Sequence, residues 1–158
     1  MRDFADVDAA DVMLPNADAT GRLAAALAQR CPPGIVLLLR GPLGAGKTTF
    51  VSGFAQALSA GPAASPTFVL AHSYPRGRVP LWHLDFFRLD PEDVDALDLT
   101  QYVTPTSIAL VEWPERARVT WPPDRIEIDF AVAGEGRRAR LRGFGSARRT
   151  VAAVAERG

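Results

Sequence analysis

The residues with the clearest capacity for chemistry run from Gly41 to Thr48 and read GPLGAGKT in a chain of 158 residues. Two glycines separated by four variable residues and followed by Lys and Thr form the pattern of a phosphate-binding loop. Glycines can adopt positive φ, so the backbone N–H groups of such a loop can curve around an anion. Lys47 can reach the β- and γ-phosphates of a nucleotide, and the Thr48 hydroxyl can bind the Mg²⁺ that bridges them. The segment therefore predicts a site for a nucleotide polyphosphate and Mg²⁺.

The residues on both sides of this segment predict the elements that must hold it. Ile35–Leu39 is an apolar run typical of a strand buried on both faces. Phe50, Phe54 and Leu58 recur every four residues and so share one face of a helix. A strand, a glycine loop and a helix in this order place the positive end of the helix beside the anion. The alternative is a glycine turn that only joins a strand to a helix.

Two acidic residues directly follow predicted strands. Asp85 follows Leu81–Leu84, and Glu112 follows Ile108–Val111. Nucleotide hydrolysis needs an acidic group near the metal, usually at the carboxyl end of a strand beside the phosphate-loop strand. Glu112 is therefore predicted to bind Mg²⁺, and Asp85 to bind Mg²⁺ or to position water. The alternative for each residue is a helix cap or a surface carboxylate.

Other polar residues near these segments have two interpretations each. Residues 65–67 read Ser-Pro-Thr and predict either a loop that senses the γ-phosphate or a plain proline turn. Arg88 could neutralise charge at the phosphates or pair with Asp90. Trp113 could contact the nucleotide or pack in the core. His83 is expected to pack or form a hydrogen bond within the sheet, with a role as a base as the alternative.

The rest of the chain predicts a small α/β fold. A helix is expected from Asn16 to about Arg30, with Asn16 or Asp18 as its cap, and Asp90 is expected to cap another. Further expected elements are an edge strand over 11–14, an antiparallel hairpin over 68–84, a strand with one wet face over 125–130 and a closing helix over 146–156. The predicted fold is a single P-loop NTPase-like domain over residues 1–158, with a mixed, mostly parallel sheet flanked by helices and antiparallel additions.

The composition limits the kinds of partner and compartment. The 18 basic and 18 acidic side chains leave a formal net charge of zero, so no overall field attracts nucleic acid or an anionic membrane. The single cysteine, Cys31, excludes an internal disulfide and a thiolate-rich metal site. The chain starts with an acidic segment that lacks a secretory apolar core, and no stretch has membrane-spanning length. A cytoplasmic protein without membrane contact is expected.

The last quarter of the chain is rich in arginine. The arginines are Arg137, Arg138, Arg140, Arg142, Arg148 and Arg149. Most are interpreted as a solvated face, with contact to RNA or to an acidic partner as the alternative.

Four segments together resemble the TsaE family, the small bacterial ATPases, also called YjeE, that support threonylcarbamoyladenosine formation on tRNA. They read GPLGAGKTTF from Gly41, SPTFVL from Ser65, LWHLDFFRLDPEDV from Leu81 and ALVEWPER from Ala109. Their order and spacing fit the family over nearly the whole chain. The resemblance implies an ATPase that is weakly active alone and works with the transferase subunits TsaD and TsaB. It also implies that tRNA is contacted only indirectly, through that complex.

The resemblance implies roles for individual residues as well. The implied catalytic residues are Lys47, Thr67, Asp85, Arg88 and Glu112, and the implied metal ligands are Thr48, Asp85 and Glu112. The implied nucleotide contacts are Ala17, Thr20, Gly41, Leu43, Gly44, Ala45, Gly46, Lys47, Thr48, Thr49, Trp113 and Gly136. Thr67 would belong to a first switch-like loop, and Asp85 with Arg88 to a second.

Two positions depart from the family pattern, and two other functions stay open. Pro42 stands where the family usually has an acid, and Phe87 where it usually has a tyrosine. A small-molecule kinase would need an acceptor pocket and usually an arginine-bearing lid. A nucleotide-gated binding module would bind ATP with negligible turnover. GTP is disfavoured because the sequence has no Asn-Lys-x-Asp segment that reads guanine.

Overall fold

The computed structural model describes residues 8–61 and 71–156, which form a seven-stranded sheet and four α-helices. The strands are β1 (Asp8–Leu14), β2 (Val36–Arg40), β3 (Ala71–Tyr74), β4 (Leu81–Asp85), β5 (Ile108–Glu112), β6 (Arg125–Ala133) and β7 (Gly136–Phe144). The helices are α1 (Ala17–Arg30), α2 (Lys47–Ala57), α3 (Pro91–Asp95) and α4 (Arg148–Ala155). Strands and helices alternate over much of the chain, which confirms the predicted α/β class.

The sheet is parallel in its centre and antiparallel at its sides. Its strand order is β1-β7-β6-β2-β5-β4-β3. Strands β6, β2, β5 and β4 run parallel to their neighbours in this group. β3 pairs antiparallel with β4, while β7 pairs antiparallel with both β6 and β1. The predicted mixed sheet with antiparallel additions is thus confirmed, and the carboxyl ends of β2, β4 and β5 meet at one edge.

Strand β2 contributes to a core on each face of the sheet. Leu37 and Leu39 pack on one face together with the phenylalanines of α2. Val36 and Leu38 pack on the other face with Phe86. These four residues of β2 are all buried, as the apolar run predicted. Helix α2 therefore crosses the first face, and its amino end lies at the carboxyl edge of the central strands.

Helix ends follow the capping signals in the sequence. The Asn16 side-chain oxygen accepts a hydrogen bond from the Ala19 N–H at 2.9 Å, so Asn16 is the N-cap of α1. The Asp90 N–H donates to the Asp93 carboxylate at 3.4 Å at the start of α3. The longest of the described helices, α1, has 14 residues. Within the described ranges, no helix has the length and apolar character needed to cross a bilayer.

Strand β6 differs from the predicted strand with one wet face. Glu127 is only 8% exposed. The guanidinium groups of Arg40 and Arg125 approach its carboxylate oxygens to 2.5 and 3.2 Å, and that of Arg142 to 3.7 Å. Three arginines from three neighbouring strands shield this carboxylate from solvent. Sequence alternation alone does not reveal such convergence, because it depends on strand pairing.

Candidate nucleotide-binding site

The loop between β2 and α2 is built for close approach of an anion. Gly41, Gly44 and Gly46 have φ of 141°, 78° and 107°, conformations that side chains with a Cβ rarely adopt. A Cβ on Gly41 would also lie 2.5 Å from the Phe130 carbonyl oxygen. Helix α2 begins at Lys47, and no side chain caps its first turn. Its first N–H groups are therefore left for an anion seated in the loop.

Lys47 is held inside this loop and is only 4% exposed. Its Nζ donates to the Gly41 carbonyl oxygen and lies 3.7 Å from the centroid of the Trp113 ring. Burial lowers the pKa of Lys47 below its usual value, and nearby carboxylates, that of Glu112 foremost, oppose this shift. No ion pair joins Nζ to a carboxylate in the described part of the chain. Its charge is therefore left for a phosphate group.

A cleft of about 200 Å³ joins the loop to the carboxyl ends of β4 and β5. Asp85 and Glu112 are register partners on these neighbouring strands. Their backbones are therefore separated by the strand spacing of about 4.8 Å, and their side chains share one face of the sheet. The predicted site residues that line the cleft are Leu43, Gly44, Gly46, Lys47, Thr48, Thr49, Asp85, Glu112 and Trp113. The structure therefore brings both predicted carboxylates together with Lys47 and Thr48.

The two carboxylates differ in burial and in their hydrogen bonds. Glu112 is 4% exposed, and its Oε2 accepts a hydrogen bond from His83 Nε2 at 2.6 Å. Asp85 is half-buried, and its Oδ1 accepts a hydrogen bond from the Phe87 N–H at 3.0 Å. Each carboxylate is thus fixed through one oxygen. The other oxygens, Glu112 Oε1 and Asp85 Oδ2, have no hydrogen bond among the described residues.

A second cleft, of about 170 Å³, lies on the other side of the phosphate loop. It is lined by the predicted contacts Ala17, Thr20, Gly44, Gly46, Thr49 and Gly136. Both clefts share Gly44, Gly46 and Thr49, so together they follow the loop on its two sides. A Cβ on Gly136 would lie 2.8 Å from the Leu14 carbonyl oxygen, which explains why this wall position suits glycine.

The remaining predicted residues lie in different places. Trp113 is half-buried, and its ring centroid lies 5.0 Å from that of Phe87, so it packs partly in the core and also lines the first cleft. Arg88 is exposed and lines neither of these clefts. The Ala45 side chain is buried in the core, so only its backbone could contact an anion in the loop. Thr67 lies outside the described residues.

Sequence reasoning did not assign a site role to two residues that contact this machinery. Arg137 Nε donates a hydrogen bond to the Gly44 carbonyl oxygen at 2.9 Å, whereas the sequence predicts mainly a solvated face for the arginine-rich segment. His83 forms the predicted hydrogen bond within the sheet, and its partner is Glu112. No local signal identifies either partner, because the residues of each pair are far apart in sequence.

The donor set around the first cleft suits Mg²⁺ that arrives with a nucleotide. Within residues 8–61 and 71–156, no group of three or more His, Cys, Asp or Glu side chains could hold a metal. Mg²⁺ sites of nucleotide enzymes usually combine one or two carboxylates with phosphate oxygens and water. Thr48, Asp85 and Glu112 provide a hydroxyl and two carboxylates beside the loop. These residues fit Mg²⁺ of that kind.

Comparisons with known proteins place the chain in a family. Residues 14–140 match the family model described as Threonylcarbamoyl adenosine biosynthesis protein TsaE. A Synechocystis protein named tRNA threonylcarbamoyladenosine biosynthesis protein TsaE is 42% identical over 111 residues, which cover 67% of this chain and 71% of the relative. The Bacillus subtilis protein of the same name is 39% identical over 124 residues, which cover 78% of each chain.

The fold comparison agrees with the sequence comparison. The crystal structure of Bacillus subtilis YdiB superposes with a TM-score of 0.76 at 29% identity, covering 96% of both chains. The resemblance inferred from the four sequence segments is thereby confirmed. This chain belongs to the TsaE family.

Proposed function

We propose that this protein binds ATP with Mg²⁺ and hydrolyses it in support of threonylcarbamoyl transfer to adenosine of tRNA. The observation that carries the proposal is one cleft that combines the glycine loop, the buried Lys47 ammonium and two register-paired carboxylates, Asp85 and Glu112. Membership of the TsaE family supports the link to tRNA modification.

The loop explains how the polyphosphate would be held. The positive φ of its glycines and the uncapped start of α2 favour an anion against the backbone N–H groups. Lys47 would exchange its contact with the Gly41 carbonyl oxygen for phosphate oxygens. That exchange is favourable because the ammonium is buried and a phosphate supplies the opposite charge that it lacks. The second cleft, beside Ala17, Thr20 and Gly136, offers space for the rest of the nucleotide.

The carboxylates explain how hydrolysis would be supported. Thr48 and Glu112 would hold Mg²⁺, and Asp85 would either share that task or orient the attacking water. When bound, Mg²⁺ neutralises charge that develops on the phosphate oxygens. Among the described residues, no arginine lines the first cleft. Lys47 is then the main protein cation beside the transferred phosphate, which is consistent with slow turnover by the protein alone.

A transferase complex of TsaD and TsaB is the proposed partner. The formal net charge of zero argues that tRNA is reached through the partner rather than bound strongly by this chain. A tight grip on RNA normally requires several lysine and arginine contacts with phosphates, which release counterions.

Two measurements test the proposal. Phosphate release from Mg·ATP should be slow for the protein alone and faster after addition of TsaD and TsaB. Capture of TsaD and TsaB should differ among ATP, ADP and no nucleotide. ADP formation that requires a small-molecule acceptor would instead support a kinase. Nucleotide-dependent capture that survives Asp85→Ala, without measurable turnover in the unmodified protein, would support a binding module.

A further inference from the structure

His83 makes a contact that the proposed ATPase mechanism does not yet use. It lies on β4 two residues before Asp85, and its Nε2 lies 2.6 Å from Glu112 Oε2. The side chains of His83 and Glu112 are only 12% and 5% exposed. A carboxylate can only accept, so Nε2 carries the shared proton. This short hydrogen bond, shielded from solvent, joins His83 to the Oε2 atom of Glu112.

The strand geometry explains why this hydrogen bond controls orientation. Asp85 is the register partner of Glu112, and Leu110 is that of His83. His83, Asp85 and Glu112 therefore share one face of the sheet. His83 lies two residues farther from the cleft along β4 than Asp85. The bond from His83 turns one oxygen of Glu112 back toward the strands. Oε1 is the atom left to face the cleft.

The accessibility of Oε1 supports this division of the two oxygens. It takes part in no hydrogen bond among the described residues. Nor is it one of their fully buried, unpartnered side-chain atoms, a class that contains only Arg142 Nε. Oε1 therefore retains solvent-accessible surface, and Glu112 lines the first cleft beside Thr48.

We propose that His83 is a positioning residue that holds Glu112 with Oε1 toward the nucleotide-bound Mg²⁺. The proposal rests on the proposed function and names a determinant of its metal step. Hydrogen-bonded partners of metal-binding side chains fix ligand orientation, and their loss typically weakens metal affinity about 10- to 100-fold. His83 should therefore act on Mg²⁺ affinity while leaving metal-free nucleotide affinity, which depends on the loop, nearly unchanged.

The test uses the full chain with His83→Leu, which removes the donor, and His83→Gln, whose side-chain amide can donate near the position of Nε2. His72→Gln is the matched control. His72 is the cross-strand partner of His83, with ring centroids 5.8 Å apart, but it has no hydrogen bond to Glu112. Circular dichroism and thermal melting establish that each variant folds.

Two readouts separate positioning from general damage. The first is the Mg²⁺ concentration that half-saturates the gain in affinity for a fluorescent ATP analogue, with the metal-free affinity measured in EDTA. The second is Mn²⁺ binding to the ATP complex by electron paramagnetic resonance. His83→Leu should raise the half-saturating metal concentration about 10- to 100-fold, and His83→Gln should restore it to within a few-fold. His72→Gln should match the unmodified protein.

The outcomes distinguish this proposal from the proposed function. If the unmodified chain binds ATP without any dependence on Mg²⁺, the proposed function and the role of His83 both fail. If metal dependence is present but folded His83→Leu retains it unchanged, only the role of His83 fails. Equal defects in His83→Leu and His83→Gln would also overturn it, because the donor would not be the cause.

A double-variant comparison covers the case in which His83→Leu does not fold. His83→Asn then replaces it, because its shorter amide cannot reach Glu112. Addition of His83→Asn to Glu112→Gln should cause no further loss of metal affinity, because the residue that His83 positions is already altered. Independent, additive losses would contradict positioning through Glu112.

Discussion

Replacement of Gly41 by Ala should destabilise the fold, whereas replacement of Gly44 by Ala should mainly impair nucleotide binding. Gly41 has φ of 141°, and its Cβ would lie 2.5 Å from the Phe130 carbonyl oxygen and 3.1 Å from the Phe130 Cβ. Gly44 also has positive φ, 78°, but its Cβ would meet no atom within 4 Å. The two variants therefore share backbone strain but differ in steric contact.

The expected magnitudes follow from these two terms. Strain at a sparsely populated backbone conformation costs about 1–3 kcal/mol, and an overpacked contact costs about a further 1–3 kcal/mol. Gly41→Ala should lower the free energy of unfolding by about 2–6 kcal/mol. Gly44→Ala should lower it by about 1–2 kcal/mol, the left-handed strain alone. Its Cβ would instead project into open space beside the loop, where Gly44 lines the first cleft and where we place the phosphates.

Urea unfolding monitored by tryptophan fluorescence measures the first difference, with equal slopes required for a valid comparison. Titration with ATP and Mg²⁺ measures the second. Equal unfolding free energies for the two variants would refute the reasoning about Phe130. Normal ATP affinity in folded Gly44→Ala would refute the placement of the phosphates.

Three further perturbations test single groups. Lys47→Ala should abolish ATP binding in titration calorimetry, because no other lysine or arginine of the described residues lines the first cleft; unchanged affinity would contradict it. Glu112→Ala should lose Mg²⁺-dependent phosphate release while remaining folded, and full activity would transfer the role to Asp85. Burial raises the pKa of the Cys31 thiol from 9.0 to about 12, so alkylation of the native protein at pH 8 should be about a thousandfold slower than that of a free thiol. As the pH rises, the thiol of the unfolded state loses its proton near pH 9 and that of the folded state only near pH 12. The free energy of unfolding should therefore fall between pH 9 and 12 relative to that of Cys31→Ala.

The sequence was sufficient for the central elements because their signals are local. The apolar run before Gly41 predicted a strand buried on both faces, and β2 is buried on both faces. Asn16 and Asp18 were the two predicted caps at the start of α1, and the structure selects Asn16, whose side chain accepts a hydrogen bond from the Ala19 N–H. The glycine loop depends on residue types and spacing within a few positions. Each of these features is decided by steric and hydrogen-bonding preferences that neighbouring residues satisfy together.

Contacts between distant segments were beyond such reasoning. The Arg137 contact with Gly44 joins residues 93 positions apart, and the His83 contact with Glu112 joins residues 29 positions apart. Both depend on strand order and register, since β7 and β4 must first take their places on either side of the central strands. Alternation likewise predicted a wet face for β6, and only the sheet brings three arginines onto Glu127.

The same topology explains how a nearly neutral chain can build a strongly charged site. Strand β5 lies between β2 and β4 in the sheet, so Glu112 stands between the loop that carries Lys47 and the strand that ends in Asp85. Burial makes each isolated charge unfavourable, yet the hydrogen bond from His83 and the nearby ammonium partly compensate Glu112. Lys47 contacts a carbonyl oxygen and an aromatic ring, but no carboxylate of the described residues forms an ion pair with it. The charges of the site are therefore only partly satisfied by the protein. A phosphate group that carries a divalent cation would supply the negative charge for Lys47 and the positive charge for the carboxylates together.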